Sequence, residues 1–331
     1  MSDDPSSVPP AQPSGEPSQY GPPGPAGQPP VRPGVPQPAA GPSVCPRHPD
    51  REAYVRCQRC GRPACPECQR PAAVGIQCVD CVRDAARSTP DARTVFGGRA
   101  TDGTPVVTYA IIGICAVAYL AQRASDSVTL DFAFAPFLGW SEPWRFVTAA
   151  FLHSPQTIFH ILLNMFALWS LGQYLEPMLG RARFAALYLI SGIGGQVAVT
   201  LLAGTPTVAD IAAGGRGAWF GAVVGASGAI FGLFGALLVL NRHLGRSSTA
   251  MYATIAINAA FGFLYPGISW QAHLGGLVTG LACAGVIVAF RKQGVRRLVW
   301  VALLAVLAVV VGLAVAKYLT VPVDIRELTS G

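Results

Sequence analysis

The chain has 331 residues, 51% of them hydrophobic and only 12% charged, with a mean hydropathy of +0.42. These proportions exclude an ordinary water-soluble globular protein and point to a membrane protein. The net charge of +7 is spread along the chain, so it reads as membrane topology rather than as a nucleic-acid footprint.

Residues 1–42 are a Pro-, Gly-, Ser- and Gln-rich tail whose charged side chains are Asp3, Asp4, Glu16 and Arg32. Its apolar content is too low to bury a core, so it is expected to be disordered and extended. Its start is acidic and lacks an apolar h-region, so no signal peptide is expected and the tail is assigned to the cytoplasm. A solvated tether is the expected role, with a Pro-rich ligand for a partner domain as the alternative.

Residues 43–84 form a second unit in which cysteine and histidine pair off as Cys45-x2-His48, Cys57-x2-Cys60, Cys65-x2-Cys68 and Cys78-x2-Cys81. Eight soft ligands in such knuckles read as two tetrahedral zinc sites. A reducing compartment argues against disulfides, and so short a segment needs metal to fold. The spacing leaves the pairing of ligands open. Arg47, Arg51, Arg56, Arg59, Arg62 and Arg70 make the unit basic, but no C2H2-type recognition helix follows. Protein contact or a structural role is therefore expected ahead of nucleic-acid binding.

Residues 85–104 read as a polar linker. A hydrocarbon core about 30 Å thick needs roughly 20 apolar residues of helix. Spans are expected near 105–121, 158–175, 183–203, 225–241, 249–265, 272–290 and 298–316. With the N-terminus inside, ten basic residues flank the cytoplasmic side: Arg93, Arg99, Arg181, Arg183, Arg242, Arg246, Arg291, Lys292, Arg296 and Arg297. Five lie outside: Arg123, Arg145, Arg216, Lys317 and Arg326. That asymmetry supports an N-in, C-out multi-pass protein of the plasma membrane. It also brings the starts of the fourth and sixth spans to the same outer side.

Three spans carry polar groups at one end. Trp219–Leu240 reads as one membrane-spanning stretch with a single serine, Ser227, between Gly225 and Gly228. Ala272–Phe290 opens on His273 and carries Gly276 and Gly280 at GxxxG spacing, which lets two helices approach closely. His160 and Asn164 lie four residues apart, on one helix face. A lone serine in a span is more often a packing residue, whereas an ionisable group there is costly and points to function. Together Ser227 and His273 suggest a nucleophile and its base. Residues 130–151 form an aromatic outer loop with Trp144 and Arg145, and Glu176 at the inner end of the second span is expected to pair with an arginine or cap a loop. The aromatic end of the fifth span, followed by Pro266-Gly267, is either a movable flap or an ordinary turn. Cys115 and Cys283 are expected in core packing, and the last span shows no polar site.

These motifs occur in the order Trp144-Arg145, His160-x3-Asn164, Glu176-x3-Gly180, Gly225-Ala-Ser227-Gly228 and Ala272-His273-x2-Gly276-x3-Gly280. The chain thereby resembles a rhomboid intramembrane serine protease over residues 105–290. The cysteine spacing resembles a B-box zinc module. The rhomboid resemblance implies an all-α six-helix membrane bundle, with residues 291–320 as an additional C-terminal helix and 321–331 as a tail. It implies a serine endopeptidase that cleaves transmembrane segments of other proteins near the outer face, with a Ser227–His273 dyad. Asn164, His160 and the Ser227 backbone N–H would hold the oxyanion, and Trp144, Arg145, Glu176 and the four glycines would be structural. No cofactor is expected for catalysis. His153 would bind substrate or hold the loop. By the B-box resemblance Cys45, His48, Cys65 and Cys68 hold one zinc and Cys57, Cys60, Cys78 and Cys81 the other. The alternative is a catalytically silent relative that binds membrane clients, with the zinc module as a cytoplasmic adaptor. A transporter is disfavoured because the polar groups gather at one end.

Overall fold

The computed structural model describes residues 43–88, 92–100, 102–205, 207–212, 214, 217–265 and 267–323. The expected tail at 1–42, Arg216, Pro266 of the expected flap, and residues 324–331 with Arg326 lie outside the described residues. The chain divides near residue 89 into two compact units.

The first unit has little apolar material. Three short antiparallel ladders pair β1 (Val44–Cys45) with β2 (His48–Glu52), β3 (Val55–Arg56) with β4 (Pro63–Ala64), and β5 (Gln69–Pro71) with β6 (Ile76–Cys78). The helix α1 (Val79–Ser88) closes the unit and runs past the expected end at residue 84. Its buried centre is Ala53, Ala64 and six cysteines, with Val79 packed against them. So small a hydrophobic core cannot offset chain entropy alone.

The second unit is helical. Its elements are α2 (Val106–Ala124), α3 (Asp126–Phe132), α4 (Arg145–Thr148), α5 (Ile158–Leu179), α6 (Arg181–Leu202), α7 (Val208–Ala212), α8 (Ser227–His243), α9 (Thr249–Leu264), α10 (Trp270–Ala289) and α11 (Leu298–Leu319). A helix lies at each of the seven expected spans, and α2, α5, α6, α10 and α11 are long and apolar enough to cross a membrane. The chain is a multi-pass membrane protein.

The bundle is built on small residues. A Cβ on Gly276 of α10 would stand 1.9 Å from the Gly228 carbonyl oxygen of α8, and one on Gly280 would stand 2.1 Å from that of Gly232. Across to α6, a Cβ on Gly275 would stand 2.4 Å from the Gly194 oxygen. With so little apolar contrast between lipid and side chain, backbones brought into contact supply the attraction. Gly276→Ala is therefore expected to cost about 1–3 kcal/mol by overpacking. Gly285→Ala, on the open side of the same helix with nothing within 4 Å, is expected to cost nothing. Thermal unfolding in detergent compares them, and equal melting would refute the close approach.

Two boundaries are refined. The fourth span begins as expected near 225, α8 starting at Ser227, while residues 219–226 of the same apolar stretch are not helical. The N–H groups that would begin it earlier are used elsewhere: Val223 exchanges hydrogen bonds with Phe134 at 2.6 and 3.1 Å, and the Gly225 N–H donates to the Ala149 carbonyl at 3.0 Å. Gly225 has φ +135°, a conformation open to glycine, and the helix starts two residues later. The second refinement concerns the polar linker. Its Arg93–Arg99 segment folds into a hairpin whose Phe96 is fully buried in the bundle core, with the Arg183 guanidinium donating to the Phe96 carbonyl.

Candidate active site

Ser227 is the first residue of α8, and His273 lies in the first turn of α10. Ser269 caps α10 by accepting from the Ala272 N–H at 3.3 Å. The glycine contacts hold the two helix starts together, and His273 Nε2 stands 2.9 Å from Ser227 Oγ. The His273 ring lies flat on Phe231, with centroids 4.1 Å apart and 10° between planes. Phe231 is one helical turn beyond Ser227, so the residue that orients the imidazole comes from the same helix as the hydroxyl. His273 Nδ1 is buried and has no hydrogen-bond partner among the described residues. The pair is oriented by packing, not by a third polar side chain.

A second imidazole faces the serine from α5. The Ser154 backbone N–H donates to His160 Nδ1 at 3.1 Å. That bond makes Nδ1 the acceptor and leaves the proton on Nε2 in the neutral ring. Nε2 is the nitrogen aimed at the serine loop, since a Cβ on Gly225 would lie 3.0 Å from it and 3.6 Å from Ser227 Oγ. Gly225 thus meets two demands, its backbone angle and the space taken by His160. Asn164, one turn further along α5, gives one amide hydrogen to the His160 carbonyl at 2.8 Å and keeps a second. His153 is fully buried with its ring 5.3 Å from that of His160. Its backbone N–H donates to Gln122 at 2.9 Å, so it anchors the loop end to α2.

The residues expected to be structural each hold a loop or a helix start. Arg145 is buried and forms a hub, donating to the carbonyls of Leu130 at 2.6 Å and Ala133 at 2.7 Å and pairing with Glu142 at 2.5 Å. Trp144 is half-exposed and reaches the Asp131 carbonyl at 3.4 Å. Glu176 resolves as a cap: its carboxylate accepts from the Val107 and Thr108 N–H groups at 2.9 and 2.8 Å and from the Thr108 hydroxyl at 2.8 Å. A negative charge on the first turn of α2 suits the helix dipole. The α9 end stacks Phe263 on Trp270 at 5.0 Å and Phe261 on Tyr265 at 5.3 Å. Gly262 is the one buried residue of that helix, and a Cβ there would touch His273 Nδ1 at 3.4 Å.

In the first unit the eight ligands fall into two sets, Cys45, His48, Cys65 and Cys68, and Cys57, Cys60, Cys78 and Cys81, each with ligand atoms within 4.8 Å of one another. His48 Nδ1 lies 3.3 Å from Cys65 Sγ, 3.4 Å from Cys68 Sγ and 4.0 Å from Cys45 Sγ, and Cys60 Sγ lies 3.8 Å from Cys78 Sγ. A tetrahedral zinc with sulfur ligands at about 2.3 Å has edges of about 3.8 Å, so the donor sets fit. Backbone N–H donors hold the Cys45 thiol down at about 6, while burial and its sulfur neighbours push Cys68 up to about 11. A shared divalent cation resolves that conflict by favouring every thiolate.

Sequence reasoning missed Ser154, Phe231 and Gly262. Phe231 follows Ser227 by four residues on the same helix face and could have been found. Ser154 acts through its backbone and leaves no side-chain signal.

Comparison with known proteins agrees with this architecture. The rhomboid domain model matches residues 140–290, and the B-box zinc finger model matches 41–72. The rhomboid protease GluP of Bacillus subtilis is 32% identical over 222 residues, covering 63% of this chain and 40% of that protein. RHOMBOID-like protein 6, mitochondrial, of Arabidopsis thaliana is 36% identical over 160 residues, 46% of each chain. The putative rhomboid protease YdcA of B. subtilis is 34% identical over 196 residues, covering 56% of this chain and 87% of that protein. The chain spans less than half the length of GluP and of the Arabidopsis protein. It is a membrane-embedded helical bundle with a zinc-binding B-box-type module. The chain belongs to the rhomboid family.

Proposed function

We propose that the protein is an intramembrane serine endopeptidase that cleaves transmembrane segments of other membrane proteins near the outer face. The observation that carries this is the 2.9 Å contact between Ser227 Oγ at the start of α8 and His273 Nε2. In attack on a peptide carbonyl, His273 Nε2 takes the Oγ proton as the Oγ–C bond forms, and later passes it to the departing amine. The negative charge collects on the former carbonyl oxygen. The Ser227 N–H at the α8 terminus, His160 Nε2–H and the spare Asn164 amide hydrogen are the donors supporting that oxygen. Water then enters from the outer side and attacks the acyl carbon as His273 Nε2 takes its proton; the C–Oγ bond breaks, that proton passes to Ser227 Oγ, and the acid leaves.

Removal of either side-chain donor tests the oxyanion assignment. His160→Ala and Asn164→Ala are each expected to lower kcat by about 10²–10³ with substrate binding retained. A model single-span substrate in liposomes gives the readout, and unchanged kcat in both variants would remove these residues from the site.

The basic flanks support an N-in, C-out orientation, which we assign to the plasma membrane. The reading extends to the first unit, which would sit in the cytoplasm, hold two structural zinc ions and present a protein-contact surface. Zinc there supplies folding energy, and no step of the cleavage uses it.

A further inference from the structure

The chemistry above makes no use of α11. The sequence reads it as an added helix with no polar site, yet Tyr318 in its last turn is only 2% exposed. We propose that Tyr318 is a positioning residue: it clamps the loop between α3 and α4 against the segment 219–226, and so fixes where Ser227 stands. This rests on Ser227 being the nucleophile proposed above.

The geometry runs outward from one side chain. Tyr318 Oη donates to the Pro136 carbonyl at 2.7 Å. Its ring lies 5.8 Å from Trp140 in the same loop and 5.9 Å from Trp219 at the head of the serine segment. Gly139 makes room, since a Cβ there would stand 2.2 Å from Tyr318 Oη. Lys317 adds a second hold on the segment, its Nζ 5.9 Å above the Trp219 ring and 3.4 Å from Thr205 Oγ1. Trp219 itself is buried, and its Nε1 has no partner among the described residues. Its place is therefore set by packing, and Tyr318 and Lys317 are part of that packing.

From there a ladder leads to the serine. The Phe137 N–H donates to the Trp219 carbonyl at 3.1 Å, Phe134 and Val223 exchange two hydrogen bonds, and the Gly225 N–H donates to Ala149. Two residues later stands Ser227, and only glycine fits at 225, where a Cβ would stand 3.0 Å from His160 Nε2. Residues 219–226 form neither helix nor ladder strand; this set of hydrogen bonds, the aromatic cluster at the head and the buried Ala226 at the foot hold the segment. A slack ladder moves the hydroxyl relative to His273 and the backbone N–H relative to the oxyanion. Reaction rates respond steeply to such displacement.

The test compares wild type, Tyr318→Phe, Tyr318→Ala and Leu313→Ala, the last on the exposed side of the same helix. Three quantities are measured on the full chain: amide exchange of residues 134–137 and 219–225, labelling of Ser227 by a fluorophosphonate, and kcat and KM on a single-span substrate. Loss of one neutral hydrogen bond predicts that Tyr318→Phe raises exchange in both segments and lowers labelling and kcat about threefold to tenfold, with KM unchanged. Tyr318→Ala exceeds it, because the ring contacts go too, and Leu313→Ala matches wild type. Unchanged exchange in Tyr318→Phe overturns the clamp. Raised exchange with unchanged labelling and kcat, or a rise in KM alone, overturns the positioning role. If wild type labels at Ser227 and Tyr318→Phe labels equally fast, this proposal alone fails. If wild type does not label at Ser227, the nucleophile assignment fails and this proposal with it.

Discussion

Ser227→Ala and His273→Ala are each expected to abolish cleavage, with a fall in kcat on the order of 10⁶. The two groups act as one unit, so the double variant should be no slower than either single one. The hydroxyl is inert at its own pKa without a base within hydrogen-bond reach, and the base at 2.9 Å has no other polar duty among the described residues. Removing Oγ takes away one hydrogen bond at a helix start and leaves backbone and packing intact. Ser227→Ala should therefore fold as wild type does, whereas His273→Ala also loses its stack on Phe231 and should melt slightly lower. The assay is cleavage of a model single-span substrate by purified protein in liposomes, with thermal unfolding as the fold control. Cleavage by Ser227→Ala at the wild-type rate would end the serine assignment. A wild type that captures membrane segments without cutting them would favour the client-binding alternative.

How far this site was legible depended on what each residue contributes through its side chain. His273 stood out because an ionisable group inside a span is rare and costly, Ser227 gained its weight from standing opposite it, and the glycines themselves announced close helix contact. Alternation of the spans put the starts of the fourth and sixth on one side, and the basic-residue count made that side the outer one. What hydropathy could not show is where helix gives way to extended chain inside an apolar run. Trp219 to Ala226 is as apolar as α8, but its hydrogen bonds go to Phe134, Phe137 and Ala149, partners more than 65 residues away in sequence. The same blindness hid Phe96, an aromatic in a polar stretch, and Tyr318, one hydroxyl at the end of a very apolar helix. Backbone donors such as the Ser154 N–H have no sequence signature at all.

Zinc removal is the other change with a large expected effect. Chelation is expected to unfold residues 43–88 outright, because apparent binding energies of structural zinc are about 10–16 kcal/mol and little else holds the unit together. Its buried centre is made of the ligand cysteines themselves and two alanines, so losing the metal removes the core rather than weakening it. The ligand sets interleave along the chain: Cys57 and Cys60 of the second lie between His48 and Cys65 of the first. A single substitution such as Cys65→Ser should therefore loosen both ladders around it and release more than one ion. A sequential pairing would instead confine the damage to one end. Cys60 is the exposed ligand, so its set should yield to chelator first. Metal analysis is expected to give about two zinc ions per chain. Amide exchange over 43–88, with and without chelator, reads the collapse. Protection that survives complete removal of zinc would show that the metal does not hold this unit. The helices have their own core of apolar side chains and glycine contacts, so their amides are expected to keep their protection in the same experiment. Cleavage measured on that zinc-free protein then reports whether the first unit acts on the proposed activity at all.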